Sequence, residues 1–342
     1  MSVLVIKFGT ASITQPDGSL NETVIADIAR QVAELRQSYH IVLVSSGAVG
    51  AGKGLIEGYR GEMAQRKAAA AVGNLLLLNV YNRYFSEYNI PIAQTLCERH
   101  HFADRQQFLQ LKETVQELWK NGIIPIANEN DVVSDRELKF SDNDELATLM
   151  AVGFGASTLM LCTSVGGLLD ADNHIIPAVD RVDESVFGIV RDEKSALGLG
   201  GMASKLTFAK LATRMGIRVT IFGLKQPDGI LRALRGETGT TFKPQVSTPS
   251  ARQRWLGSGS LTAGILRVDA GAVAALGRRN SLLAVGVRTV EGEFAAGEVV
   301  EICDEAGTTV AVARARLSSA DLLQQLNQQN VEVANANDIV LL

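Results

Sequence analysis

Cysteine is nearly absent: the 342 residues include three, Cys97, Cys162 and Cys303. They lie far apart without paired spacing, which excludes a disulfide framework or a cysteine zinc site and leaves them as small core residues. Long apolar runs are missing too. None approaches the roughly 18 residues of a membrane span, and Lys7 interrupts the first stretch before a signal-peptide core can form, so a cytoplasmic protein is expected. Charge of one sign is not in excess, with 33 Lys plus Arg against 37 Asp plus Glu. From Ser258 onward lysine is absent altogether, and six arginines face ten acids. A polyanion binder is therefore not indicated, and nucleic acid is not an expected partner. The adjacent His100 and His101 would point about 100° apart on a helix and to opposite faces of a strand, so no metal site is expected there.

What is present describes a globular chain with room for two domains, 46% hydrophobic and 20% charged. Apolar, β-type runs recur at 2–8, 41–45, 90–96, 123–127, 157–163 and 217–222. Helical patterns at 23–37, 65–84, 104–120, 143–153 and 203–215 mostly separate them. That alternation predicts an α/β fold, a mostly parallel sheet sandwiched by helices, with ligands bound at the carboxyl ends of the strands. Between Gly236 and Ser260 the texture turns to Gly, Thr, Pro and Ser, with Trp255 as an aromatic anchor, which suits a linker. The expected domains are residues 1–255 and 256–342. Short alternating segments beyond the boundary predict a small β-barrel.

Two lysines stand where anions bind. Lys7 ends the run Val3-Leu4-Val5-Ile6 just before Phe8-Gly9, and Lys205 follows Gly198-Leu199-Gly200-Gly201-Met202-Ala203-Ser204 at the start of a helical pattern. Free N–H groups and the helix dipole favour phosphate at such a start, so together the lysines suggest a clamp on a nucleotide. Gly47-Ala48-Val49-Gly50-Ala51-Gly52-Lys53-Gly54 fits a phosphate-loop pattern except at its last position, where glycine lacks the hydroxyl that would bind Mg²⁺. It reads instead as a loop that lets backbone approach a small ligand, with Ser46 as hydrogen-bonding partner. Asn128-Glu129-Asn130-Asp131 offers carboxylates and amides at another strand end. Lys139-Phe140-Ser141-Asp142-Asn143-Asp144-Glu145 holds more polar groups than capping the next helix requires.

These blocks, in this order, resemble the amino acid kinase family over nearly the whole chain, and the tail resembles a PUA domain. Lys7-Phe8-Gly9-Thr10 is similar to the family's opening motif, Ser45-Ser46-Gly47-Ala48 to its substrate loop, and Asn128–Asp131 and Asp142-Asn143-Asp144 to two further substrate elements. Gly200–Lys205 is similar to its nucleotide loop. The resemblance implies transfer of the γ-phosphoryl group of ATP, with Mg²⁺, to the γ-carboxylate of L-glutamate, the first step toward proline, with glutamyl phosphate reductase as functional partner and a homo-oligomeric assembly. It assigns Ser46, Asp131 and Asn143 to glutamate. Lys7, Thr163, Ser164, Leu199, Gly200, Gly201, Met202, Ala203, Ser204 and Lys205 fall to ATP. Lys7 and Lys205 would stabilise the moving phosphoryl group while Asp144 orients both, and no general base is needed because the attacking carboxylate is already ionised. Two exposed-type lysines would add little to the core. One departure is Ser164, where the family has aspartate, which removes a carboxylate from the nucleotide contacts. The alternatives are another acceptor, such as aspartate, acetylglutamate, carbamate or a nucleotide, or RNA binding through the tail.

Overall fold

In a computed structural model, residues 1–98, 100–133, 143–190, 201–245, 264–292, 294, 296–297 and 299–341 are described. The chain divides into two compact units, one of residues 1–98 and 110–246, the other of 99–109 and 247–342. The boundary expected near 255, with Trp255, falls outside the described residues. Among the described residues no helix is long and apolar enough to cross a membrane.

The first unit holds an eight-stranded sheet in the order β3-β4-β2-β1-β5-β7-β8-β6. Its strands are β1 (Ser2–Phe8), β2 (Tyr39–Ser45), β3 (Ile92–Cys97), β4 (Ile124–Glu129), β5 (Thr158–Cys162), β6 (Ala178–Val179), β7 (Arg218–Phe222) and β8 (Thr240–Phe242). Only the β7–β8 pair is antiparallel. In β1 the last five residues are buried without alternation, the mark of a strand covered on both faces. The helices of this unit include α1 (Thr10–Ile13), α2 (Glu22–Leu35), α3 (Ala48–Gly52) and α4 (Met63–Ser86). After them come α5 (His100–Ala103), in the second unit, α6 (Arg105–Lys120), which crosses the division, and α7 (Asn143–Phe154). α8 (Glu184–Val190), α9 (Met202–Arg214) and α10 (Gly229–Leu234) complete the series.

Strand order sets the site. The chain leaves β1 to pair β2 on one side, and it returns after β4 to place β5 on the other. Connections therefore diverge at the carboxyl end of β1, where an open α/β sheet leaves a crevice. Register fixes what borders it: Lys7 lies between Val44 of β2 and Leu161 of β5, and Phe8 faces Ser45. α7 enters beside this point. It is buried nearly all round, as an apolar helix in the middle of a domain must be.

The second unit carries a five-stranded sheet, β11-β9-β12-β13-β15, and a two-stranded one, β10-β14. These are β9 (Gly264–Val268), β10 (Leu282–Leu283), β11 (Val287–Glu291), β12 (Val299–Cys303), β13 (Thr309–Arg314), β14 (Glu332–Ala334) and β15 (Ile339–Leu341). A single apolar cluster including Leu266, Val268, Phe294, Ile302, Leu322 and Val333 fills it.

Candidate active site

Three charged side chains meet at the end of β1. Lys7 Nζ lies 2.6 Å from one oxygen of Asp144, and Lys205 Nζ donates to the other at 2.6 Å. Their burial corrects the expectation of exposed-type lysines: Lys7 is 5% exposed, Lys205 6% and Asp144 0%. Each comes from a different element, β1, α9 or α7, so no local sequence signal joins them. Removing charge from water is costly, and the fold accepts it here because a carboxylate with two oxygens serves two ammonium groups at once. Two cations share one anion, so the cluster keeps a net positive charge. A Cβ on Gly9 would come 3.6 Å from Lys7 Nζ, which puts the ammonium group against the turn that follows β1.

Burial by itself would raise the Asp144 carboxyl, but Lys7 and Lys205 more than offset it and hold the group below its ordinary 3.8. A carboxyl depressed on folding stabilises fully above its unfolded value and loses that contribution as the pH falls through the lower folded one. The thermal midpoint of the wild type should therefore exceed that of Asp144→Asn near neutrality. The gap should narrow below about pH 4, and a gap that persists unchanged toward about pH 2 contradicts the ion-pair account. Cys162, at the end of β5, also lies near this cluster. Burial pushes its thiol up to about 11, so it stays protonated and does not act as a nucleophile.

Next to the charged cluster runs a chain of amides. Asn143 Nδ2 donates to Ser46 Oγ at 2.8 Å and to Asn128 Oδ1 at 2.9 Å, and Asn128 Nδ2 donates to Asn74 Oδ1 at 3.1 Å. Asn143 and Asp144 are consecutive in the first turn of α7, and successive helical residues point about 100° apart. One turn of helix thus serves two subsites, with the amide turned to the Ser46 loop and the carboxylate to the lysines. Ser46 itself is held by its backbone N–H on Phe8 O at 3.0 Å.

α4 supports the loop from the other side. Tyr81, fully buried, shares a 3.0 Å hydrogen bond with Ser45 Oγ. α3, which follows the loop, crosses α4 at glycine on both helices: a Cβ on Gly73 would come 1.8 Å from Ala48 O, and one on Gly52 would come 2.0 Å from Ala69 O. Asn74, Tyr81 and Gly73 do not stand out in the sequence, and Gly52, expected in a loop that lets backbone approach a small ligand, instead ends α3 against α4. An amide inside the apolar run Ala-Val-Gly-Asn-Leu-Leu was the available signal for Asn74.

The remaining residues are placed as follows. Asp131 sits half-buried on the turn after β4, and no bond of the amide chain runs through it. Thr163 donates its N–H to Phe222 O at 2.7 Å, and Ser164 beside it is exposed. There the loops after β5 and β7 approach so closely that a Cβ on Gly223 would meet Gly166 Cα at 2.8 Å. Gly201 caps α9, and Met202, Ala203, Ser204 and Lys205 form its first turn. Leu199 and Gly200 lie outside the described residues, as do Lys139, Ser141 and Asp142. Among the described residues the one cluster with metal-ligand spacing is Asp170, Asp172 and His174. Asp170 Oδ1 there already accepts the N–H groups of Asp172 and His174, each at 2.9 Å.

Residues 264–335 match the PUA domain. The chain is 41% identical over 321 residues to the glutamate 5-kinase of Rippkaea orientalis, covering 90% of this chain and 87% of that protein. To the enzyme of the same name from Synechococcus elongatus it is 41% identical over 334 residues, 94% of this chain and 91% of the relative. Kosmotoga olearia has another, 37% identical over 326 residues, with 94% and 90% covered. Among solved structures, Giardia carbamate kinase shares the fold, with a TM-score of 0.52 and 18% identity over 71% of this chain and 99% of that one. Residues 2–223, which carry β1 to β7, both lysines, Asp144 and the amide chain, match the amino acid kinase family, and the chain belongs to that family.

Proposed function

We propose that the chain is an ATP-dependent kinase that phosphorylates the γ-carboxylate of L-glutamate, giving L-glutamyl 5-phosphate at the first step of proline biosynthesis. The observation that carries this reading is the buried pair Lys7 and Lys205 on one carboxylate, Asp144. Phosphoryl transfer to a carboxylate asks for alignment and positive charge and for little covalent chemistry. The surplus positive charge at the cluster would stabilise the equatorial oxygens of the group in flight, in a crevice where water cannot screen it. Asp144 would hold both ammonium groups in place before the substrate arrives. The loop of Ser46, with Asn143 and Asp131, would bind glutamate, and the first turn of α9 with Thr163 and Ser164 would bind ATP. The names of the relatives at about 40% identity support glutamate as the acceptor.

Mg²⁺ would accompany ATP as the counterion of its phosphates. Both oxygens of Asp144 face lysines, so this carboxylate does not fit a metal-ligand role. In the second unit Arg267, Arg288 and Arg316 pair with Glu291, Asp269 and Glu332. The absence of lysine and the excess of acids from Ser258 onward give little support for binding a polyanion through the tail.

ADP release measured against a panel of amino acids tests the acceptor. L-Glutamate should support turnover and L-aspartate, one methylene shorter, little; comparable rates with aspartate or acetylglutamate would sink the reading. Asp131→Ala should raise the KM for glutamate roughly ten- to a hundredfold, the worth of a hydrogen bond to a charged group, while kcat changes much less. A kcat that falls as far as kcat/KM would place Asp131 in the chemical step instead.

A further inference from the structure

We propose that Asn74 of α4 is a positioning residue for recognition of the substrate's ammonium group, acting through the amide orientations of Asn128 and Asn143. This deepens the glutamate reading and rests on it.

An asparagine amide offers a donor at one end and an acceptor at the other, and its orientation is fixed only by its neighbours. Here one neighbour cannot turn. The backbone N–H of Glu129 donates to Asn128 Oδ1 at 2.9 Å, so the oxygen of Asn128 must lie on that side and its Nδ2 on the other. Asn74 Oδ1 receives this Nδ2 and completes the lock. Asn128 Oδ1 also takes a hydrogen from Asn143 Nδ2, whose second hydrogen goes to Ser46 Oγ. The donors of Asn143 are thereby used up, and its Oδ1 is buried without a hydrogen-bond partner. A buried carbonyl oxygen left unpaired is costly and awaits a donor.

The same chain decides Ser46. Its oxygen accepts from Asn143, so its own hydrogen is available to an acceptor. One donor, Ser46 O–H, and one acceptor, Asn143 Oδ1, on neighbouring side chains match the α-carboxylate and the α-ammonium of an amino acid. Without Asn74 the Asn128 amide keeps its oxygen on Glu129 N–H, but its Nδ2 loses the acceptor that ties it to α4. Asn128 Oδ1 can then shift away from Asn143 Nδ2, and Asn143 Oδ1 loses the fixed position in which it faces the ammonium. Asn74 thus contributes specificity without touching substrate. Its own Nδ2, buried and also without partner, is the far end of the same polarity.

The test compares L-glutamate with glutarate, which keeps both carboxylates and lacks the amino group. In the wild type kcat/KM should strongly favour glutamate. Asn74→Leu removes the acceptor for Asn128 and should lower kcat/KM for glutamate about ten- to a hundredfold, mainly through KM, and for glutarate distinctly less, because Ser46 serves the carboxylate of both substrates and Asn143 Oδ1 serves the ammonium of glutamate alone, so that the preference shrinks. Asn74→Asp keeps an oxygen for Asn128 and should retain most of the preference. Should Asn74→Leu not fold, Asn74→Ala carries the same expectation. An unchanged glutamate-to-glutarate ratio in a folded Leu or Ala variant overturns the proposal, as does an equal loss on both substrates, which marks a merely structural role. A wild type that releases ADP with neither substrate defeats the acceptor reading itself, and the ammonium role with it.

Discussion

Lys205→Met and Lys7→Met should each lower kcat by about 10²- to 10³-fold, the cost of removing one preorganised donor from a developing oxyanion. The reason is the count of charges at Asp144. With both lysines present, one positive charge is left over for the phosphoryl group; with one lysine gone, the remaining ammonium is balanced by the carboxylate and the surplus disappears. Because the interaction forms with the transition state, the KM for glutamate should move far less than kcat. The double variant should cost less in kcat than the product of the two factors, since both groups act on one charge. Stability should follow a different rule. Each single variant leaves Asp144 paired, so its thermal midpoint should stay near that of the wild type. The double variant strands a buried carboxylate at a cost of several kcal/mol, enough to lower the midpoint clearly. Near-normal kcat in either folded single variant would refute the clamp.

Both lysines were legible in the sequence, one closing a β-branched run and the other behind a glycine loop, because each motif is local. Their burial was not. It follows from β1 lying between β2 and β5 and from α7 delivering Asp144 between them, which is long-range information. The parallel sheet was legible for the same reason as Lys7: five- to seven-residue apolar runs without alternation declare strands covered on both faces. The two-residue β6 and β10 and the three-residue β14 and β15 were missed, since so few residues establish no period. Ser46 and Asn143 announced themselves as polar residues in loops. Asn74 did not, because an amide in an apolar helix declares its role only once its partner, 54 residues away, is known.

Gly73→Ala should be the most damaging glycine-to-alanine change among the described residues that touches no proposed substrate contact. The added Cβ would stand 1.8 Å from Ala48 O and 2.7 Å from Ala48 C, backbone atoms that cannot rotate aside as the end of a long side chain can. α3 must then move off α4. Forced overpacking of this kind typically costs about 1–3 kcal/mol, so the thermal midpoint should fall by several degrees. The functional loss should exceed the stability loss, because Ala48 opens α3 directly behind Ser46-Gly47 and its displacement carries the Ser46 hydroxyl out of reach of Asn143. A shift of about 1 Å at a positioning group is worth on the order of 10²-fold in rate, and kcat/KM for glutamate should drop by that order. Gly52→Ala, whose Cβ would meet Ala69 O at 2.0 Å, should behave alike because it wedges the same crossing from the other side. Gly54→Ala is the control: a Cβ there meets nothing within 4 Å, so activity and midpoint should both hold. Normal kcat/KM in a folded Gly73→Ala protein would show that the substrate loop keeps its position without the close helix crossing, through its hydrogen bonds to Tyr81, Phe8 and Asn143.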